Sequence, residues 1–107
     1  MEKIGIIDLG SNSARLVIVE LFGEGHFMVV DELKESVRLG QDMERDGFLK
    51  PSRVAETIRT LKMFKKLADA SRVDRIIAVA TADVRRAHNQ GSFLDVVRAA
   101  CGIKGKV

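Results

Sequence analysis

Two short segments of this 107-residue chain carry residue types suited to phosphate chemistry. The first, Asp8-Leu9-Gly10-Ser11-Asn12-Ser13, lies between two apolar runs. A carboxylate at a strand end can hold a hydrated Mg2+, because hard cations take carboxylate and water oxygens. Gly10 lets the backbone turn tightly and lets an anion approach the main chain. Ser11, Asn12 and Ser13 bring hydroxyl, amide and backbone N–H donors, a neutral cradle for phosphate oxygens. The same residue types also build ordinary polar hairpin turns, so the string alone supports both readings. It is neither a Walker P-loop, which needs Gly-Lys-Ser/Thr opening a helix, nor a Rossmann GxGxxG.

The second segment runs from Ala80 to Asn89. Here an apolar run empties into Thr81, and a short helix is expected over 81–87. A helix N-terminus at the end of a strand attracts anions, and Arg85 can add bidentate contacts to a phosphate. Arg85 and Arg86 serve equally well as solvated surface charge.

The elements that must position these segments follow from periodicity. Ile4 to Ile7 predicts a buried strand, and the β-branched stretch Ala14 to Leu21 a second. Gly23-Glu24-Gly25 makes a turn. His26 to Leu39 predicts a longer third strand, bent or interrupted in its charged middle. Short turns between these three imply an antiparallel meander. Gly40 to Lys50 is a polar loop. Val54, Ile58, Leu61, Phe64 and Ala68 then recur at helical spacing, with Ser52 after Pro51 as the expected N-cap. Arg75 to Ala80 lacks alternation, which predicts a central strand covered on both faces. Ser92 and Asp95 have capping-box spacing and start a helix through Cys101 that Gly102 stops. Ile103 to Val107 begins another strand. The order β-β-β-α-β-α-(β) predicts a mixed sheet with helices packed against it, an α/β layered fold.

Composition narrows the function classes. The chain is 46% hydrophobic and 31% charged, which suits one globular domain rather than a disordered segment. No apolar run approaches the ~20 residues of a bilayer span, and Glu2, Lys3 and Asp8 exclude a signal peptide. A single Cys, Cys101, forms no internal disulfide and points to a cytoplasmic setting. It reads best as a small hydrophobe at a helix end, and His26 and His88 lack the partners of a catalytic or zinc site. The net charge of +3 is uneven: residues 1–50 hold six Lys/Arg against ten Asp/Glu, and residues 51–107 hold twelve against five. Arg59, Lys62 and Lys66 share one face of the first helix, where they can track a polyanion or simply face solvent. Trp and Tyr are absent, and the five Phe fall mostly at core-like positions. Stacking platforms for single-stranded nucleic acid are therefore poorly supplied.

Taken in order, the segments resemble the exopolyphosphatase and guanosine pentaphosphate phosphatase family. IGIIDLGSNSARLVIVE is similar to that family's N-terminal signature at its first phosphate loop. Ser36-Val37-Arg38-Leu39-Gly40 resembles its third strand, Gly47-Phe48-Leu49 its Gly-x-Leu before the first helix, and Ala80-Thr81 through Arg85, Ala87 and Asn89 its Ala-Thr-x-Ala-x-Arg-x-Ala-x-Asn segment. Phe93-Leu94 falls where the family has Phe-Leu, whereas Asp83 stands where it commonly has a small residue. The resemblance implies a ribonuclease-H-like fold of the actin-like ATPase superfamily, with residues 1–107 forming the N-terminal half of its first domain. It implies Asp8 as the Mg2+ residue, and Gly10, Ser11, Asn12, Ser13 and Arg85 as phosphate-binding residues. The implied reaction removes a terminal phosphate from polyphosphate or guanosine pentaphosphate, two substrates the sequence does not distinguish. The water-activating glutamate and second phosphate loop of the family are expected past Val107, so no catalytic residue is assigned within the chain and little turnover is expected of it alone. A half-domain also exposes surfaces that favour self-association. The competing classes are a non-enzymatic module that binds a polyanion or partner, and a nucleic-acid-binding domain driven by the basic half.

Overall fold

The computed structural model describes residues 2–10, 12–38, 47–80, 90–101 and 105–106. Five strands form one sheet in the order β3-β2-β1-β4-β5. They are β1 (Glu2–Leu9), β2 (Ser13–Leu21), β3 (Phe27–Ser36), β4 (Arg75–Ala80) and β5 (Gly105–Lys106), and the helices are α1 (Pro51–Ala70) and α2 (Gln90–Cys101). β1 to β3 form the expected antiparallel meander. β4 joins β1 in parallel after the α1 crossover, and β5 adds to β4 in parallel.

Alternation sorts the sheet into two faces. Leu33, Leu16, Ile7 and Ala78 occupy one continuous row across β3, β2, β1 and β4. They pack into a single core with Ile58, Leu61 and Phe64 of α1 and Phe93 and Val97 of α2. The neighbouring row, Lys34, Arg15, Asp8 and Val79, points the other way and is exposed in every strand. β4 is therefore not covered on both faces as its unalternating sequence suggested. Val79 is 45% exposed, because both described helices contribute to the same cluster on one side.

Polar contacts lock the β1–β4 register at its start. Lys3 N–H donates to Asp74 Oδ2 at 2.8 Å, and Asp74 N–H donates to the Lys3 carbonyl at 2.7 Å. Lys3 Nζ reaches the Ser71 carbonyl at 3.1 Å, and Arg75 pairs with Glu2 at 3.1 Å.

Both helix starts differ from the sequence reading. Pro51, not a Ser cap, opens α1: Lys50 is the N-cap with extended backbone and no side-chain cap bond, while Pro holds its φ ready for the first turn. Ser52 lies inside the helix. α2 starts at Gln90, so Ser92 falls within its first turn rather than at its cap. α1 ends in a Schellman arrangement, with Arg72 at φ +59° donating to the Asp69 carbonyl and Val73 to that of Ala68. Buried Thr57 is satisfied by donating to the Arg53 carbonyl at 2.8 Å.

β3 is shorter than expected and is not broken by its charges. Pairing continues through Asp31 to Ser36, and the one irregularity is Val30, which bulges between Val29 and Asp31. Phe27 to Val30 are exposed on this edge strand. Of the five Phe, only Phe64 and Phe93 are buried; Phe22, Phe27 and Phe48 are exposed, contrary to the core placement read from sequence. Phe22 and Phe27 flank the hairpin tip that holds Glu24, with Glu20 one residue from Leu21, the partner of Phe27, a poor setting for a nucleic-acid stack. The expected helix over 81–87 lies outside the described residues, as do Gly102 and most of the loop from Gly40. Among the described residues, no helix is long and apolar enough to cross a membrane.

Phe64, fully buried at the centre of α1, is the side chain on which the helix-to-sheet packing leans most. Phe64→Ala is expected to lower stability by about 3–5 kcal/mol in urea unfolding. An unchanged midpoint would mean that this core is not formed as described.

Candidate functional site

The turn between β1 and β2 is held by three backbone hydrogen bonds. Gly10 N–H donates to the Ser13 carbonyl at 2.8 Å, closing the hairpin. The Asn12 carbonyl accepts two donors from the end of β3, Val37 N–H at 3.0 Å and Arg38 N–H at 3.1 Å. Val37 is itself fully buried in the core, so this pair of hydrogen bonds anchors the turn to the protein interior. Leu49, 2% exposed, enters the same core just ahead of α1.

Gly10 N–H is consumed within the turn, so what Gly10 can offer an anion is room for close approach. A Cβ at Gly10 would stand 3.1 Å from the Ser13 carbonyl oxygen, closer than a methyl sits comfortably. Asn12 is exposed with its carbonyl turned toward β3, and its side-chain amide is a donor it can offer an anion. Ser13 is half-buried as the first residue of β2.

Asp8 lies two residues before the turn on the exposed face, in register with Arg15 on β2 and Val79 on β4. Arg15 is engaged elsewhere, with Nη1 3.1 Å from Glu32 Oε1. Among the described residues Asp8 has no ion-pair partner, and its carboxylate is open to solvent at the edge where β1 and β4 end side by side. Among the described residues, no three His, Cys, Asp or Glu come together. A lone exposed carboxylate fits Mg2+ bound mainly through water and substrate phosphate, the usual manner for that ion. It does not fit a cage built wholly of protein ligands.

Of the residues predicted from sequence, the structure brings Asp8, Gly10, Asn12 and Ser13 to one end of the sheet. Ser11 and Arg85 lie outside the described residues, as do His88 and Asp83. Ala80, the last residue of β4, pairs with Leu9, so the chain enters the Arg85 segment from beside the turn. Arg59, Lys62 and Lys66 are all exposed on α1. His26 is exposed in the β2–β3 hairpin and stands apart from the turn. A shallow groove lined by Leu16, Ile18, Leu33 and Leu67 runs between the hairpin and α1 and includes none of the turn residues. The residue that motif reading passed over is Arg38: it belongs to a recognised Arg-Leu-Gly string, yet only the fold shows its backbone bonded to Asn12.

Comparison with known proteins gives one consistent result. A family model described as the Ppx/GppA phosphatase family matches residues 17–107. The chain is similar to Exopolyphosphatase 1 of Mycobacterium leprae (strain TN), 28% identical over 105 residues that cover 98% of this chain and 31% of that protein. Among solved structures, the Aquifex aeolicus Ppx/GppA phosphatase matches with a TM-score of 0.91 at 36% identity, covering 98% of this chain and 35% of that one. An exopolyphosphatase from Cytophaga hutchinsonii ATCC 33406 matches with a TM-score of 0.92 at 27% identity, covering 99% and 34%. The expected α/β fold of the actin-like superfamily is thus the fold of this chain, which spans about a third of the length of these relatives.

The tightness at Gly10 is directly testable. Gly10→Ala is expected to cost about 1 kcal/mol in urea unfolding, because the Ser13 carbonyl is held in the hairpin and cannot retreat freely. Unchanged stability would show that the turn is not closed in the way described.

Proposed function

This chain belongs to the Ppx/GppA phosphatase family, and from that premise we propose that it is the phosphate-binding part of a phosphoanhydride hydrolase acting on a terminal phosphate of the polyphosphate type. The observation that carries the reading is the β1–β2 turn: an exposed Asp8, without an ion-pair partner among the described residues, and a core-anchored Asn12 lie at the end of the sheet where β1 and β4 finish together. Phosphoryl transfer needs positioning and charge neutralisation more than covalent help. Asn12 and Ser13 would position the terminal phosphate oxygens, and Gly10 would let them come close. Ser11 and Arg85 are proposed to join them, Arg85 by neutralising an oxygen. Asp8 would hold Mg2+ or its water, and the ion, when bound, supplies neutralisation of phosphate charge. The curated relative is named for exopolyphosphatase activity, which supports polyphosphate as the substrate class.

Asp8, Gly10, Asn12 and Ser13 are assigned to the ion and the phosphate, which leaves none of them assigned to aligning an attacking water. The 107-residue chain is therefore proposed to bind without appreciable turnover.

Calorimetric titration of tripolyphosphate into the chain tests this reading. Mg2+ is expected to tighten binding to the parent sequence, and Asp8→Asn to remove that dependence. Asn12→Ala should weaken binding by about tenfold, the usual worth of a hydrogen bond to a charged group. Binding untouched by both substitutions, or displaced by RNA at equal charge, would overturn the reading in favour of a general polyanion surface. Robust phosphate release by the chain alone would overturn the proposal that it does not turn over.

A further inference from the structure

We propose that Arg38 is a further phosphate-binding residue of the Gly10–Ser13 turn, an inference that rests on the phosphate-binding reading above. Three observations lead to it.

The first is placement. Arg38 N–H and Val37 N–H share the Asn12 carbonyl as acceptor, at 3.1 and 3.0 Å. Val37 is fully buried, so the backbone of its neighbour is fixed against the turn rather than trailing from a strand end. The Arg38 side chain leaves the main chain one hydrogen bond from Asn12 and is long enough to carry its guanidinium over the turn.

The second is conformation. Arg38 adopts φ +50°, in the left-handed region that Gly enters freely and most side chains avoid. Glu24 and Arg72 also have positive φ. Glu24 occupies a hairpin tip between two glycines and Arg72 a helix C-terminal cap, places where local chain reversal accounts for it. Arg38 instead comes off the end of β3, in the geometry that directs two successive N–H groups at one carbonyl. Gly would meet that requirement with less strain, but only a long cation adds charge there.

The third is electrostatic need. A terminal phosphate brings several negative charges to a turn whose other described groups are neutral donors and one carboxylate, Asp8. A fixed cation beside it adds to the neutralisation proposed for Mg2+ and Arg85, and the guanidinium fork matches phosphate oxygens bidentately. Arg15, Arg53, Arg75 and Arg98 each face an acidic partner. Arg38, Arg59 and Arg72 are exposed and, among the described residues, have none, and of these three it is Arg38 whose backbone is bonded to Asn12.

Titration of tripolyphosphate in the presence of Mg2+ separates side chain from backbone. Arg38→Gly keeps the left-handed conformation and removes the guanidinium, so its urea midpoint should hold or rise while affinity falls about tenfold. Arg38→Lys should recover only part of that loss, because an ammonium cannot make the bidentate contact. Arg98→Gln, which removes the same charge from α2, should leave affinity within about twofold of the parent. Parent-like binding by Arg38→Gly, with Asn12→Ala still weakened, would overturn the role of Arg38 and leave the turn standing. Parent-like binding by both would overturn the phosphate-binding reading itself. Equal losses in Arg38→Gly and Arg98→Gln would show that overall charge alone matters, which also overturns a local role for Arg38. If Arg38→Gly were to lose its fold, Arg38→Asn, also tolerant of the left-handed region, supplies the same comparison.

Discussion

The fold is organised by the double pairing of β1, antiparallel to β2 along one edge and parallel to β4 along the other. An antiparallel partner can follow through a short turn, but a parallel partner needs a long crossover, and here α1 lies within it. The crossover brings Ile58, Leu61 and Phe64 over the row that Ile7 and Leu16 present. Because residues alternate along β1, placing Ile7 and Leu9 in that core sends Asp8 to the opposite face. The exposure of the one carboxylate at the turn is thus a consequence of the strand's register. A one-residue slip would bury Asp8 and expose Ile7 and Leu9.

The same economy governs the turn. Its backbone groups are partly spent on holding it: the Gly10 N–H closes the hairpin and the Asn12 carbonyl gathers two donors from the end of β3. The cost falls on the number of donors left for a ligand, and the gain is a turn that arrives already shaped. Preorganised donors need no rearrangement when charge appears, which is how phosphate sites achieve their effect. Arg15, paired with Glu32 across the exposed face, leaves Asp8 without an ion-pair partner among the described residues. Since that pair is about half exposed, its consequence for the site lies in what it leaves free more than in its own strength.

Much of this was legible in the residues. The apolar runs of β1, β2 and β4 and the 3.6-residue spacing of α1 report burial directly, and burial decides those elements. The helix starts were less legible. Ser52 and Ser92 have good capping chemistry, but Pro51 starts α1 without a side-chain cap, and α2 begins two residues ahead of Ser92. The apolarity of Arg75 to Ala80 did not reveal that Val79 is exposed, because coverage of a strand depends on where the helices dock. At the site, Asp8, Gly10, Asn12 and Ser13 could be named from type and order. The loss of the Gly10 N–H to Ser13 and the bonding of Arg38 to Asn12 could not, since both depend on pairing between segments distant in sequence or closed by register.

The most direct test of the central claim, that the β1–β2 turn receives a terminal phosphate, is an amide chemical-shift titration of the 107-residue chain with tripolyphosphate and Mg2+. The account predicts the largest shifts at Asp8, Gly10, Asn12, Ser13 and Arg38, with little change along α1. Shifts concentrated at Arg59, Lys62 and Lys66, with the turn silent, would contradict it.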